Sequence, residues 1–205
     1  MMKQPLQEGL KTFIPPESLP VVMNWVNGFP LLLRITRGRK TKLGDYRPPV
    51  KEPFHRISVN HDLNPYEFLL TLTHEIAHML VYDQHGRQRQ PHGKAWKSQY
   101  GALLSELMGR DIFPDDLKPF IHLHMQQPRA NSKSNANLAR GLNTYNSFQK
   151  GVFLEDLPDN AEFFLPDGRK FVKQQKLRTW YRCQNLQNKR IYRISPVTRV
   201  LLSES

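Results

Sequence analysis

The chain has 205 residues, 39% of them hydrophobic, enough for one full domain and a smaller appendage. Its one cysteine, Cys183, excludes an internal disulfide and a cysteine-rich zinc site within the chain. The formal net charge is +12, and residues 129–205 hold 14 basic against 6 acidic side chains, an asymmetry that points to an anionic partner, most simply nucleic acid.

The first residues contain no long apolar signal region, and no apolar run approaches a membrane span. A soluble, cytoplasmic protein without membrane contact is therefore expected. Residues 1–28 read as a loose start followed by a helix. Pro15 and Pro16 open that helix, Val21, Val22, Trp25 and Val26 recur at helical spacing, and Gly28 and Pro30 end it. Residues 30–37 read as a strand, 41–47 as a basic turn around Gly44, and His55 to Asn60 as a second strand.

A central helix follows. Asn64 suits the N-cap, Pro65 the first helical position, and Glu67 completes a capping-box pattern. The helix should run to about Tyr82, with Leu69, Leu72, Ile76, Met79 and Leu80 as its core stripe. It contains His74-Glu75-Ile76-Ala77-His78, the pattern H-E-x-x-H. Residues four apart share a helix face, so His74 and His78 present two imidazoles to one ion. Glu75, one position round, is placed to take a proton from water, which is the division of labour in a zinc peptidase.

Residues 83–91 are polar and read as a loop that returns the chain to His92 and Gly93. The next helix carries Trp96, Tyr100, Leu103, Leu104, Leu107 and Met108 on one side and stops at Gly109. If the two helices pack antiparallel, His92 comes within reach of the pair and completes a three-histidine site with one open position. His85, in the loop, is the competitor for third ligand. The longer pattern H-E-x-x-H-x-x-G-x-x-H fails, because Val81 and Gln84 stand at its glycine and last histidine. A short helix is expected over residues 113–125, with His122 and His124 in structural or exposed positions.

Residues 127–150 shift to Gln, Asn, Ser, Lys and Arg and read as a polar linker. Residues 151–205 read as short strands around the Pro166-Asp167-Gly168-Arg169 turn.

The segment His74-Glu75-Ile76-Ala77-His78, followed after a spacer by His92-Gly93-Lys94-Ala95-Trp96, resembles the SprT-like family of zinc metallopeptidases, which includes the Spartan-type DNA–protein crosslink proteases. The preceding strands and the Gly44 loop fit as well, so the resemblance spans roughly residues 30–126. It implies an α+β fold: a zincin-like core of a small sheet plus helices over 1–126. It also implies one Zn2+ per chain on His74, His78 and His92, with Glu75 as the general base. Many family members end in a four-cysteine zinc ribbon. Here Tyr181-Arg182-Cys183 resembles one corner of such a ribbon without its partners, so residues 151–205 are expected to form a metal-free, all-β, degenerate ribbon held by Phe163, Phe171, Trp180, Tyr192 and Val200.

The functional expectation is a zinc-dependent endopeptidase with a protein substrate. The tail interleaves Lys173, Lys176, Arg178, Arg182, Lys189 and Arg190 with Trp180, Tyr181 and Tyr192, a mixture that contacts phosphates and stacks on bases. DNA is thus the expected second partner, and DNA-bound or crosslinked proteins the expected substrates. Tyr82, His85 and Tyr100 are candidate donors to the oxyanion. The alternative reading is a nucleic-acid-binding protein with a structural or vestigial zinc site. Glu75 argues against it, because a structural site needs no acid there.

Overall fold

The structure is a computed structural model. It describes residues 3–39, 41–50, 52–87, 90–126, 128, 136–146 and 151–202. The chain divides into two compact units, 1–146 and 147–205.

The first unit is α+β. Helix α1 (Lys3–Lys11) occupies what the sequence suggested was a loose start. A turn of 3-10 helix at Pro16–Ser18 leads into α2 (Leu19–Trp25), so the prolines open a shorter helix than expected. Strands β1 (Leu31–Thr36), β2 (Gly44–Arg47) and β3 (His55–Asn60) form one sheet in the order β1-β3-β2. β3 runs parallel to β1 and antiparallel to β2. The expected basic turn at 41–47 is therefore an edge strand in its second half. Gly and Asp are poor strand formers, and the backbone pairing with β3 overrides them.

Helix α3 (Pro65–His85) crosses the middle of the unit. Asn64 caps it: its Oδ1 accepts from the Tyr66 and Glu67 amides at 3.1 and 3.0 Å. Gly86, at φ +66°, ends it, three residues beyond the expected end at Tyr82. The helix is buried nearly all round. Phe68, Leu70, Thr73 and Ala77 are as enclosed as Leu69, Leu72, Ile76 and Met79 of the expected stripe, whose fifth member, Leu80, is partly buried. The sheet covers one side and α4 (Lys94–Gly109) another, so the histidines on α3 face an interior cleft between elements.

Helix α5 (Lys118–Gln126) begins later than expected, and α6 (Ala136–Asn143) lies inside the stretch expected to be linker. Leu138 and Leu142 of α6 are buried in the core of the first unit, and Asn64 Nδ2 donates to the Leu142 carbonyl at 2.9 Å. Gly141 lets α6 approach α5: a Cβ there would stand 2.6 Å from Phe120 Cδ2. Two apolar residues at helical spacing thus win over the polar composition around them. The remainder of the expected linker lies largely outside the described residues.

The second unit is a six-stranded antiparallel sheet in the order β4-β9-β5-β6-β7-β8. Its strands are β4 (Val152–Phe153), β5 (Glu162–Phe164), β6 (Lys170–Lys176), β7 (Tyr181–Asn185), β8 (Ile191–Ile194) and β9 (Arg199–Leu202). Leu154, Phe163, Phe171, Cys183 and Val200 are fully buried and form its core with Tyr181. Tyr192 packs against that core, but Trp180, expected inside, is 41% exposed. Among the described residues no helix is long and apolar enough to cross a membrane.

Candidate metal centre

His74 and His78 lie one turn apart on α3, and the loop after Gly86 returns the chain so that His92, just before α4, meets them. The three Nε2 atoms are mutually 3.1 Å apart. Four-coordinate zinc with nitrogen ligands at about 2.0–2.1 Å has tetrahedral nitrogen–nitrogen edges of about 3.3 Å, so the spacing fits a single ion. Among the described residues this is the group of His, Cys, Asp and Glu able to hold a metal. His85 is exposed near the end of α3 and stands outside it.

Trp96 underlies the triad. Its ring lies 4.5, 5.4 and 4.6 Å from the rings of His74, His78 and His92, and its Nε1 donates to the His74 carbonyl at 3.4 Å. Burial lowers all three histidine pKa values, with the neighbouring histidines adding to the effect at His74 and His78. His74 is pushed down to about 2 and His78 to about 4. Each imidazole is therefore neutral at physiological pH, the state that binds a metal.

Glu75 is buried against β2. Its carboxyl is pushed up to about 8, first by burial and then by Asp45, while Arg39, Lys42 and the donating amide of Tyr46 oppose the rise. A carboxylate of this kind is a stronger base than an exposed one. Gly44 allows the approach: a Cβ there would stand 2.9 Å from Glu75 Cγ, 2.8 Å from Thr71 Cγ2 and closer still to Glu75 Oε1.

Residues 35–107 match the SprT-like family. No curated protein and no solved structure matches the chain. The SprT-like segment contains β2, β3, α3 and all but the last turn of α4, and with them the whole triad and Glu75. A histidine triad of this geometry is consistent with a zinc metallopeptidase site.

The SprT-like segment also holds Tyr46, a residue beside the triad that sequence reasoning passed over. Tyr46 stacks on His78, with ring centroids 6.3 Å apart and 6° between planes, and its hydroxyl lies 2.9 Å from His55 Nδ1. Burial, reinforced by Tyr82 and Asp83, raises the Tyr46 pKa, so the phenol keeps its proton. The signal was the alternation Gly44-Asp45-Tyr46-Arg47, which turns Gly44 and Tyr46 inward once the segment is read as a strand. Of the candidate oxyanion donors, Tyr100 is buried, with its hydroxyl 3.4 Å from His124 Nε2. Tyr82 sits edge-on to Tyr46 and His55.

In the second unit Lys176, Arg178, Arg182, Lys189 and Arg190 are exposed. Lys173 is different. It is 2% exposed and its ammonium donates inward to the carbonyls of Leu157 and Glu155, over the Tyr181 ring. Strand alternation sets Lys173 on the same side as Phe171, so it is unavailable as the nucleic-acid contact that its place in the basic run suggested.

Proposed function

We propose that this chain is a zinc-dependent endopeptidase that cuts proteins bound or crosslinked to DNA. The observation that carries the catalytic part is the convergence of three neutral imidazoles beside the buried carboxyl group of Glu75. His74, His78 and His92 would hold the ion. Zinc there supplies Lewis acidity, polarising the scissile carbonyl and making water acidic enough to be used near neutral pH.

The chain's own part falls to Glu75. The carboxylate accepts a proton from the attacking water and then returns it to the leaving amine, so no free proton is released between the steps. The Tyr46 amide orients that carboxylate. His74 and His78 are fixed by the helix that also carries Glu75, so the base and two ligands move as one body.

The DNA part is supported by the second unit. Arg182 and Arg193 are directly paired across β7 and β8, both exposed. Like charges directly opposite destabilise a sheet unless an anion lies between them. Trp180 stands exposed beside them in sequence, a stacking platform within a cationic stretch.

The test is cleavage of a DNA-binding protein crosslinked to an oligonucleotide by the full chain, wild type against Glu75→Gln, with metal content measured on both. About one zinc per chain in each, and cleavage by the wild type alone and only with DNA, is the expected result. Equal cleavage by the variant overturns the role of Glu75. Zinc and DNA binding with no cleavage by either protein would make this a nucleic-acid-binding protein with a vestigial site.

A further inference from the structure

The sheet of the first unit has a second face that the triad does not use. On β3, Ile57 and Val59 turn towards α3, and Arg56 and Ser58 turn the other way. The register puts Arg34 of β1 and Asp45 of β2 beside Ser58, and Arg47 of β2 directly opposite Arg56. Between them is a cavity of about 190 Å³, lined by Arg34, Thr36, Arg39, Arg47, Arg56 and Ser58, with Asp45 at its side.

The charge in this cavity is unbalanced. Four guanidinium groups meet one carboxylate, and that carboxylate is occupied: Asp45 accepts from Lys42 Nζ at 2.7 Å and from Arg47 Nε at 3.0 Å. Arg39 is fixed in place over one end, donating from Nε to Asn60 Oδ1 at 2.8 Å and from Nη1 to Ser58 Oγ at 3.1 Å. The Arg47–Arg56 pair is a direct like-charge juxtaposition across two strands, unfavourable without a counter-anion. Arg56 Nε is buried and has no hydrogen-bond partner among the described residues. Buried donors are almost always satisfied, so an unmatched one inside a cationic cavity marks where an acceptor belongs.

We infer that this cavity on the outer sheet face binds a phosphate group. Guanidinium forks match the oxygen spacing of phosphate, and the Ser58 hydroxyl, which accepts from Arg39, adds a neutral donor that a tetrahedral oxyanion accepts. The phosphate comes either from a nucleic-acid backbone or from a free phosphate ion. The site is separate from the triad, which lies across the sheet.

The experiment follows the arginine Nε–Hε signals of the full, 15N-labelled chain by NMR, with Arg56→Lys used to assign the Arg56 signal. Inorganic phosphate and a single-stranded oligonucleotide are titrated in separate arms. A saturable shift of the Arg56 signal is expected in at least one arm, with affinity reduced tenfold or more in Arg34→Glu, a substitution at an exposed side chain. A response to phosphate alone assigns a free anion, and a response confined to the oligonucleotide, weakening steeply with salt, assigns a polymer backbone. An unmoved Arg56 signal in both arms, or a shift that Arg34→Glu leaves intact, overturns the inference. So does a response to poly-glutamate where neither phosphate source gives one.

Discussion

Gly44 and Glu75 touch so closely that no side chain fits between them. The contact joins the edge strand to the proposed base, and the Tyr46 amide two residues along holds the same carboxylate. Gly44 does not have a positive φ, so its role is space and not backbone freedom. Gly44→Ala should therefore fold and keep its zinc while pushing Glu75 aside. A displacement of about 1 Å at a reacting group can cost about 100-fold. We expect kcat to fall by roughly 10–100-fold with metal content unchanged, read by peptide hydrolysis beside metal analysis. A variant with full activity would show that Glu75 has room to spare.

Trp96 supports the ligands from below. Trp96→Ala should cost about 3–5 kcal/mol of stability as a core truncation and weaken metal binding by about 10–100-fold, the usual effect of losing an outer support. Trp96→Phe keeps the ring stack and loses the donor to the His74 carbonyl, so it should lose far less. Chelator competition alongside urea unfolding separates the two effects. Unchanged metal affinity in Trp96→Ala would mean that the triad is held by its helices alone.

Asn64 ties the start of α3 to the end of α6. Its oxygen caps α3 and its amide donates to Leu142 and to Asn146 Oδ1 of the segment ending α6. Asn64→Ala should cost about 1 kcal/mol for the cap and about 1–3 kcal/mol more for the carbonyl left without its donor. Asn64→Asp should recover the cap part only. A loss under about 0.5 kcal/mol in urea unfolding would mean that α6 is not anchored there.

Cys183 gives the second unit a pH signature. Burial pushes its thiol up to about 11 from the ordinary 9.0, with the Gln174 backbone hydrogen bond and Lys173 opposing. The folded form then holds its proton more tightly than the unfolded chain. Stability from this group is fully present below pH 9 and declines between pH 9 and pH 11. At pH 8 the thiol is protonated and enclosed, so alkylation should proceed only as fast as the unit opens and should accelerate sharply in denaturant. Rapid labelling of the native chain at pH 8 would contradict this burial.

The sequence displayed the triad because its chemistry is written in short spacings. A four-residue interval on a helix fixes His74 and His78, and one polar loop returns His92 to them. Strand β3 was equally legible, since alternation from His55 to Asn60 matches its pairing. Strand β2 was not, because Gly44 and Asp45 carry turn chemistry and become a strand through contact with β3. Helix α6 was hidden for the opposite reason: Leu138 and Leu142 find their partners in a core assembled from residues far earlier in the chain. Lys173 shows a third kind of blindness. A run of basic and aromatic residues tells that a surface is cationic, but which members turn inward depends on register.

The four residues of β2 face two ways. Gly44 and Tyr46 face the cleft of the histidine triad, and Asp45 and Arg47 face the cationic cavity behind it. Because side chains alternate strictly along a strand, a slip of one residue would trade these audiences: Asp45 would press its charge on Glu75, and the cavity would gain a glycine. An insertion or deletion within β2 therefore has no neutral form. Such changes can survive only in pairs, so the length of this edge should be more rigidly kept than the identity of most of its residues.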